Sequence, residues 1–181
     1  KVIKDLDIVR SFYDQQFDKM NLVFNLVGRD MDLGLIRQYL ELDYLYWVTR
    51  DSMDEAGSLL AERAFSSAHD IGATRIIPEE QVKDFYGNVE SIKVKPTPKA
   101  APTDKETVAD VMSIEYAKPF FDSAGKVEKV LVGGIFLNRN FRFIDKMVDT
   151  VFENKLYEGK PVGTITIFQD DVRVATNVLD K

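Results

Sequence analysis

A chain of 181 residues without a single cysteine cannot be held by disulfides, bind zinc through thiolates or attach a c-type haem. Its net charge of -6, from 24 basic and 30 acidic residues, argues against nucleic acid as a partner, because phosphate binding needs a basic face. With 45% hydrophobic and 30% charged residues it has the composition of a folded domain with its own core, and no run of about 20 apolar residues is present to cross a bilayer.

All six prolines lie at or after Pro78, so the first 77 residues are free of the commonest helix breaker. Val2, Leu6, Val9, Tyr13, Phe17, Met20, Phe24, Val27 and Met31 recur at spacings of three and four. That is one apolar stripe on a helix over residues 1–31, roughly 45 Å long at 1.5 Å per residue. Such a helix suits a strut that packs on the domain at one end and on a partner helix at the other, or a long surface helix lying wholly on its own domain. The chain opens at Lys1 rather than Met, inside this helix, which reads as a domain cut from a longer protein.

Asp32 to Glu41 predicts a shorter helix. Leu42 to Thr49 is aromatic and β-branched and predicts the first strand. Leu59 to Ala68 is helical, and Gly72 to Ile77 is a second strand. Pro78 opens a short helix with Glu79 and Glu80 at its favoured acidic end and Gly87 just past its close. Lys93 to Thr107, with three prolines and three lysines, is an irregular loop.

Two hairpins follow. Val108 to Phe121 and Lys126 to Leu137 join through a turn containing Gly125; Val162 to Phe168 and Val172 to Val178 join through Gln169, Asp170 and Asp171. Between them Phe141, Ile144, Met147 or Val148, and Val151 form the apolar face of a helix. The run Val130 to Leu137 suits a strand buried on both faces. Gly133 and Gly134 inside it mark a bulge or a close approach by another group. Asn138 or Asn140 is placed to cap the helix after it. The expected fold is one α+β domain over 1–181, with about five to six antiparallel strands within residues 42–178 and helices inserted between them.

Several of these stretches are familiar together: Gly-Gly-Ile-Phe-Leu-Asn-Arg-Asn (133–140), Ile144-Asp145, Asp149 to Phe152, Tyr157 to Phe168 and Asp171 to Asn177. With Ile77-Pro78-Glu79-Glu80 and the proline-rich loop, they resemble bacterial single Cache sensor domains. The resemblance is dense from Val130 to Asn177 and thin from Thr49 to Gly72. It implies a PAS-like antiparallel sheet with a long N-terminal helix along one side. It also implies an extracytoplasmic, periplasmic domain of an inner-membrane receptor. Such receptors feed chemotaxis, histidine kinase or cyclase outputs. A homodimer through the N-terminal helix is a further expectation for this chain. The chain departs from the family after the first strand. An Asp-x-x-Gly turn is expected there, and Arg50 to Gly57 followed by helical sequence stands instead, so no ligand residue carries over in that region.

No catalytic constellation emerges. His69 is the one histidine, and no serine sits in a Gly-x-Ser-x-Gly elbow. No phosphate-binding glycine loop, metal cluster or cofactor motif is read, and Asp170-Asp171 suits a solvated turn. Arg139, between two asparagines at a helix start, could clasp a carboxylate two-pronged or tie down the strand-to-helix corner. Tyr44 and Tyr46 share one face of the first strand, with Trp47 on the other. Tyr116 and Lys118 share a face of a later strand. Tyr46, Tyr116, Lys118 and Arg139 would suit a small carboxylate-bearing ligand, although aromatic residues on strands are equally the ordinary mark of a core. The function expected is small-molecule sensing without chemistry. The alternative is a structural, dimerising or protein-binding module of the same fold.

Overall fold

A computed structural model describes residues 2–27, 31–53, 57–87, 89–95, 104–153 and 155–178. Helix α1 (Val2–Asn25) leads into α2 (Leu33–Leu40), strand β1 (Tyr44–Thr49), α3 (Leu59–Ser67), β2 (Ile71–Ile77) and α4 (Glu79–Gln81). A π-helical turn, Val82–Tyr86, extends α4 and stops at Gly87, whose φ of 78° lies in the left-handed region. Then come β3 (Ile92–Lys93), β4 (Thr107–Val108), β5 (Val111–Phe121), β6 (Val127–Phe136), α5 (Phe141–Phe152), β7 (Leu156–Tyr157), β8 (Lys160–Pro161), β9 (Thr166–Gln169) and β10 (Val172–Thr176).

The fold is α+β, and every strand pair is antiparallel. The main sheet has four strands in the order β1-β6-β5-β2. The sequence reading placed both hairpins in one sheet of five to six strands. Instead β9 and β10 form a separate two-stranded sheet. Val174 of β10 accepts a hydrogen bond from the Arg139 backbone at 2.8 Å, and this side of the hairpin packs on α5 rather than extending the ladder.

Helix α1 is shorter than the predicted 1–31. It ends at Asn25 after 24 residues, about 36 Å, and the chain tightens through Leu26 N to Val23 O and Val27 N to Phe24 O. Val27 and Met31, which continue the apolar spacing, lie outside α1, and Asp32 is the N-cap of α2. Residues 28–30 lie outside the described residues, as do Asp54 to Ala56 and most of the proline-rich loop.

The sheet separates two apolar layers. On one side Phe12, Met20, Phe24 and Val27 of α1 and its end pack with Ile114 and Tyr116 of β5, Leu131 and Ile135 of β6, and Phe143, Ile144 and Met147 of α5. Phe12 and Phe143 meet edge to face at 5.2 Å. On the other side Leu60, Ala61, Ala64 and Phe65 of α3 pack on Val48, Val111, Ala117, Val130 and Val132. The predicted strand buried on both faces is β6, whose alternate residues serve the two layers.

The paired glycines of β6 make room on both faces, and the irregular register lies elsewhere, between Phe120 and Phe121. A Cβ on Gly133 would meet Phe24 of α1 at 2.9 Å. A Cβ on Gly134 would meet Tyr44 Cε1 at 2.8 Å and come closer still to the hydroxyl end of that ring. Gly134→Ala therefore forces a buried ring out of place. Urea unfolding should show a loss of about 1–3 kcal/mol; an unchanged midpoint would mean the ring has free room to move.

Candidate functional site

Strand β6 lies between β1 and β5, so Tyr44 and Glu115 stand two strands apart, both opposite Gly134. Two strand spacings are about 9.6 Å, within reach of a tyrosine only if the strand between carries no side chain. The Tyr44 ring crosses above Gly134 and donates to Glu115 Oε2 at 2.8 Å, with Ser113 Oγ 2.9 Å from the same hydroxyl. On the other flank Arg75 of β2 faces Ser113 in register and reaches diagonally to Glu115. Its Nη1 donates to both carboxylate oxygens, at 3.2 and 3.3 Å. The Glu115 side chain is wholly buried and that of Arg75 is 13% exposed.

The roof of this cluster comes from the segment between β1 and β3. Ser58, the N-cap of α3, accepts from Ala61 N at 3.2 Å and donates to Glu115 Oε1 at 2.9 Å. The positive end of α3 is thereby fixed against a carboxylate. Arg75 Nη2 donates to Gln81 Oε1 at 3.0 Å and to Gly57 O at 3.4 Å. Gly57 adopts φ 54°, and a Cβ there would meet the Gln81 amide at 2.5 Å. The π-helical turn carries Tyr86, which stacks on Tyr44 at 4.6 Å between centroids. Its hydroxyl lies 3.2 Å from that of Tyr46. Phe136 closes the aromatic wall, 5.3 Å from Tyr44 and 5.5 Å from Tyr86.

The electrostatics follow from burial. Burial works against the charge on Arg75, but the neighbouring Glu115 carboxylate more than offsets it and raises the guanidinium above its ordinary value. Burial, reinforced by the Glu115 charge, pushes Tyr44 well up. Tyr46 and Tyr86 are raised chiefly by burial. The arrangement is a hydrogen-bonded ion pair in an aromatic and hydroxyl-lined setting, suited to recognising polar or charged groups.

The four residues singled out from sequence do not converge. Tyr46 belongs to this covered face. Tyr116 and Lys118 point to the opposite face, under α1. Tyr116 lies 5.7 Å from the Phe24 ring and donates to Asp70, while Lys118 Nζ reaches Asn21 Oδ1 at 3.4 Å. That bond lowers the Asp70 carboxyl, and burial with Asp70 beside it raises the Tyr116 hydroxyl. Arg139 sits at the strand-to-helix corner with φ 55°, paired with Glu90 and donating to Ser91 O at 3.2 Å. At that corner Arg139 is thus tied to Glu90 and to the Ser91 carbonyl. Asn140 is the α5 N-cap, accepting from Phe143 N at 3.0 Å. Asn138 bridges to Met112 N and Asp110 O.

Sequence reasoning passed over Arg75, Glu115, Ser58, Gln81 and Tyr86. A signal was available: Glu115 interrupts the apolar run Ile114 to Ala117, and Arg75 interrupts the strand Ile71 to Ile77. Two opposite charges inside neighbouring strands are candidates for each other. His69 is exposed just past α3, its Nδ1 2.8 Å from Ser67 O. Among the described residues no group of three acidic or histidine side chains is placed to hold a metal, and no helix is long and apolar enough to cross a membrane. A cleft of about 400 Å³ is lined by Glu79, Val82, Lys83, Val89, Glu90, Ser91 and Ala109, none of them a member of the cluster. No family model matches the chain, and no curated protein matches it.

Removing one member of a buried ion pair strands the other. Arg75→Met and Glu115→Leu alone should each cost about 3–5 kcal/mol in urea unfolding at neutral pH, and the double variant less than the two together; additive losses would mean the charges do not couple. The tyrosines give a pH signature. Free tyrosine ionises near pH 10, and Tyr13, Tyr44, Tyr46, Tyr86 and Tyr116 are all raised when folded. Above pH 10 the unfolded chain has lost protons that the folded chain retains, so stability is full below pH 10 and falls as pH rises beyond it. Tyrosinate absorbance should show five of the seven hydroxyls resisting ionisation above pH 10 in the folded protein; titration of all seven near pH 10 would contradict this burial.

Proposed function

We propose that the chain is an extracytoplasmic ligand-sensing domain of a bacterial membrane receptor, of the PAS-like single Cache kind. In this reading a small molecule binds on the sheet face opposite α1, beneath the Gly57–Ser58 corner and the segment from Gln81 to Tyr86, and no chemistry is performed. The single observation that carries it is the Arg75–Glu115 pair, desolvated beneath that segment and surrounded by Tyr44, Tyr46 and Tyr86. A buried ion pair is seldom the most stable way to fill a core, since apolar residues of similar size often do as well or better. Its presence where a loop-bearing segment meets the sheet fits recognition.

Transmission has a short route. Glu115 and Tyr116 are consecutive on β5 and point to opposite faces. Glu115 belongs to the ligand face, and Tyr116 touches Phe17 and Phe24 of α1. A Cβ on Gly72 of β2 would meet the Phe17 ring at 2.7 Å, so helix and sheet lie in close contact there. A ligand that favours one placement of Glu115 over another would bias α1, and only that difference in affinity transmits a signal. Leu22 of α1, Leu26 just past its end, and Leu35 and Tyr39 of α2 are exposed, apolar surface suited to a partner helix in a dimer. The receptor's output would be a chemoreceptor, histidine kinase or cyclase module.

A second reading is a structural or protein-binding module with no small ligand. It is favoured by the cluster's completeness: Glu115 accepts from Ser58, Tyr44 and Arg75, and Ser58 and Glu115 are wholly buried. A thermal-shift screen of small carboxylates, amino acids and amines separates the two. A ligand at 100 times its Kd adds about 2.7 kcal/mol, which for a domain of this size raises Tm by roughly 5–10 °C. Such a shift, lost in the Arg75→Met/Glu115→Leu variant, is the expected result; no shift from any compound favours the structural module.

A further inference from the structure

Strand β2 is the last in the order β1-β6-β5-β2, and among the described residues no other strand pairs with its outer edge. Its seven residues, Ile71–Ile77, pair with β5 in unbroken register. Alternate N–H and C=O groups of β2 therefore point away from β5 and lack a strand partner. Exposed edges are ordinarily guarded by a charged side chain, a proline, a bulge or shortness. On β2 these guards are missing. Arg75, its one charge, turns inward to Glu115, and Pro78 comes only after the last paired residue. Gly72 lies against Phe17, so Thr74 and Ile76 share the α1 face with it. Both are exposed there, Ile76 to 43%. The edge on β1 differs: Ser52 folds back and takes the Thr49 amide at 2.9 Å.

The flanks of β2 select what can pair there. A second copy is the simplest candidate, and its charges oppose it. Two β2 strands pairing antiparallel about Thr74 put Gly72 opposite Ile76 and Asp70 opposite Pro78. Each end then brings Asp70 beside Glu79 and Glu80 of the other copy, like against like. Asp70 and Glu80 are exposed. The Tyr116 hydroxyl donates to Asp70 and keeps its carboxyl ionised. Lys83 answers Glu79, which leaves Asp70 at one end of the edge and Glu80 at the other. A depression of about 480 Å³, lined by Glu62, Arg63, Ser66 and Ser67 of α3 and by Ile71, adjoins the edge where β2 begins. A strand laid along β2 would turn every second side chain toward it.

We propose that β2 is a docking edge for an extended segment of another polypeptide, which adds a fifth strand to the four of the main sheet. The segment has an uncharged, β-branched stretch as long as β2 and a basic residue at each end. Its backbone pairs with the open groups of β2, and its ends meet Asp70 and Glu80. A charge within the stretch would be desolvated beside Ile71 or Ile76 without a partner. This docking lies outside the small-ligand reading and holds whether or not the covered face takes a ligand.

The test is an NMR titration of the full chain with a capped synthetic peptide of alternating threonine and valine, as long as β2, carrying a lysine at each end. Two matched peptides serve as controls: one with glutamates in place of the lysines, and one N-methylated throughout the stretch, which has no N–H to donate. The lysine peptide should bind saturably, with its largest amide shifts along Ile71–Ile77, and at least ~5-fold more tightly than the glutamate peptide. The N-methylated peptide should not bind. Ile76→Lys, at an exposed position and checked for folding by circular dichroism, installs the charge that guarded edges carry and should abolish binding. Asp70→Asn/Glu80→Gln should weaken it by roughly 3- to 10-fold. No saturable shift along β2 from the lysine peptide at about 1 mM overturns the docking edge. Equal binding of the glutamate peptide overturns the basic-ended class. If the free chain dimerises in sedimentation and Ile76→Lys abolishes the dimer, the occupant is a second copy and the proposal fails.

Discussion

The covered face of this domain depends on one carboxylate, that of Glu115, taken wholly out of water. A charge in that position must have its hydrogen bonds supplied by protein, and they come from three separate parts of the chain. Tyr44 contributes from β1, Arg75 from β2 and Ser58 from the start of α3. Each requirement has a cost elsewhere in the fold. The tyrosine needs Gly134 beneath its ring, Arg75 needs Gly57 and Gln81 to complete its donors, and Ser58 must cap a helix at the same time. The sheet, the inserted helix and the π-helical turn are therefore held in register by one polar cluster. Nonspecific apolar packing alone would tolerate sliding.

The two faces of the sheet serve different ends. Under α1 the contacts are aromatic and close, with Phe17, Phe24 and Tyr116 at the centre and Phe12 and Tyr13 against Phe143 of α5. Under α3 they are aliphatic at one end and polar at the other. Because alternate residues of β5 serve the two faces, the polar cluster and the helix contact are one residue apart along the same strand. That adjacency carries the sensing hypothesis from a static cluster to a mechanism.

Much of the fold was legible in the residues. The periods of three and four in α1 and the continuous apolar run of β6 place those elements within a few positions, because burial on one face or on both leaves a strong imprint on sequence. The turn residues Gly125 and Asp170 mark the hairpins, both with positive φ. Helix α1 was overextended because Met31 continued a spacing that no longer belonged to a helix. The separateness of β9–β10 was hidden, since a strand's pattern tells which face is buried and not which strand lies beside it. The site was the hardest part to read. Tyr46 was found because aromatic residues announce themselves, but Arg75 and Glu115 are joined only by the pairing of β2 with β5. Tyr116 and Lys118, chosen for sharing a face, do share one; it is the face under α1.

In the proposed sensor, α3 with its Gly57–Ser58 corner and the segment from Gln81 to Tyr86 form a separable cover, held on the sheet by the Glu115 cluster. Native-state amide hydrogen exchange tests this without knowledge of any ligand. Amides of α3 and of the π-helical turn should open together at a free energy well below that for β5 and β6, which exchange only with global unfolding. If both groups exchange at the same free energy, the cover is part of the core and the claim is contradicted.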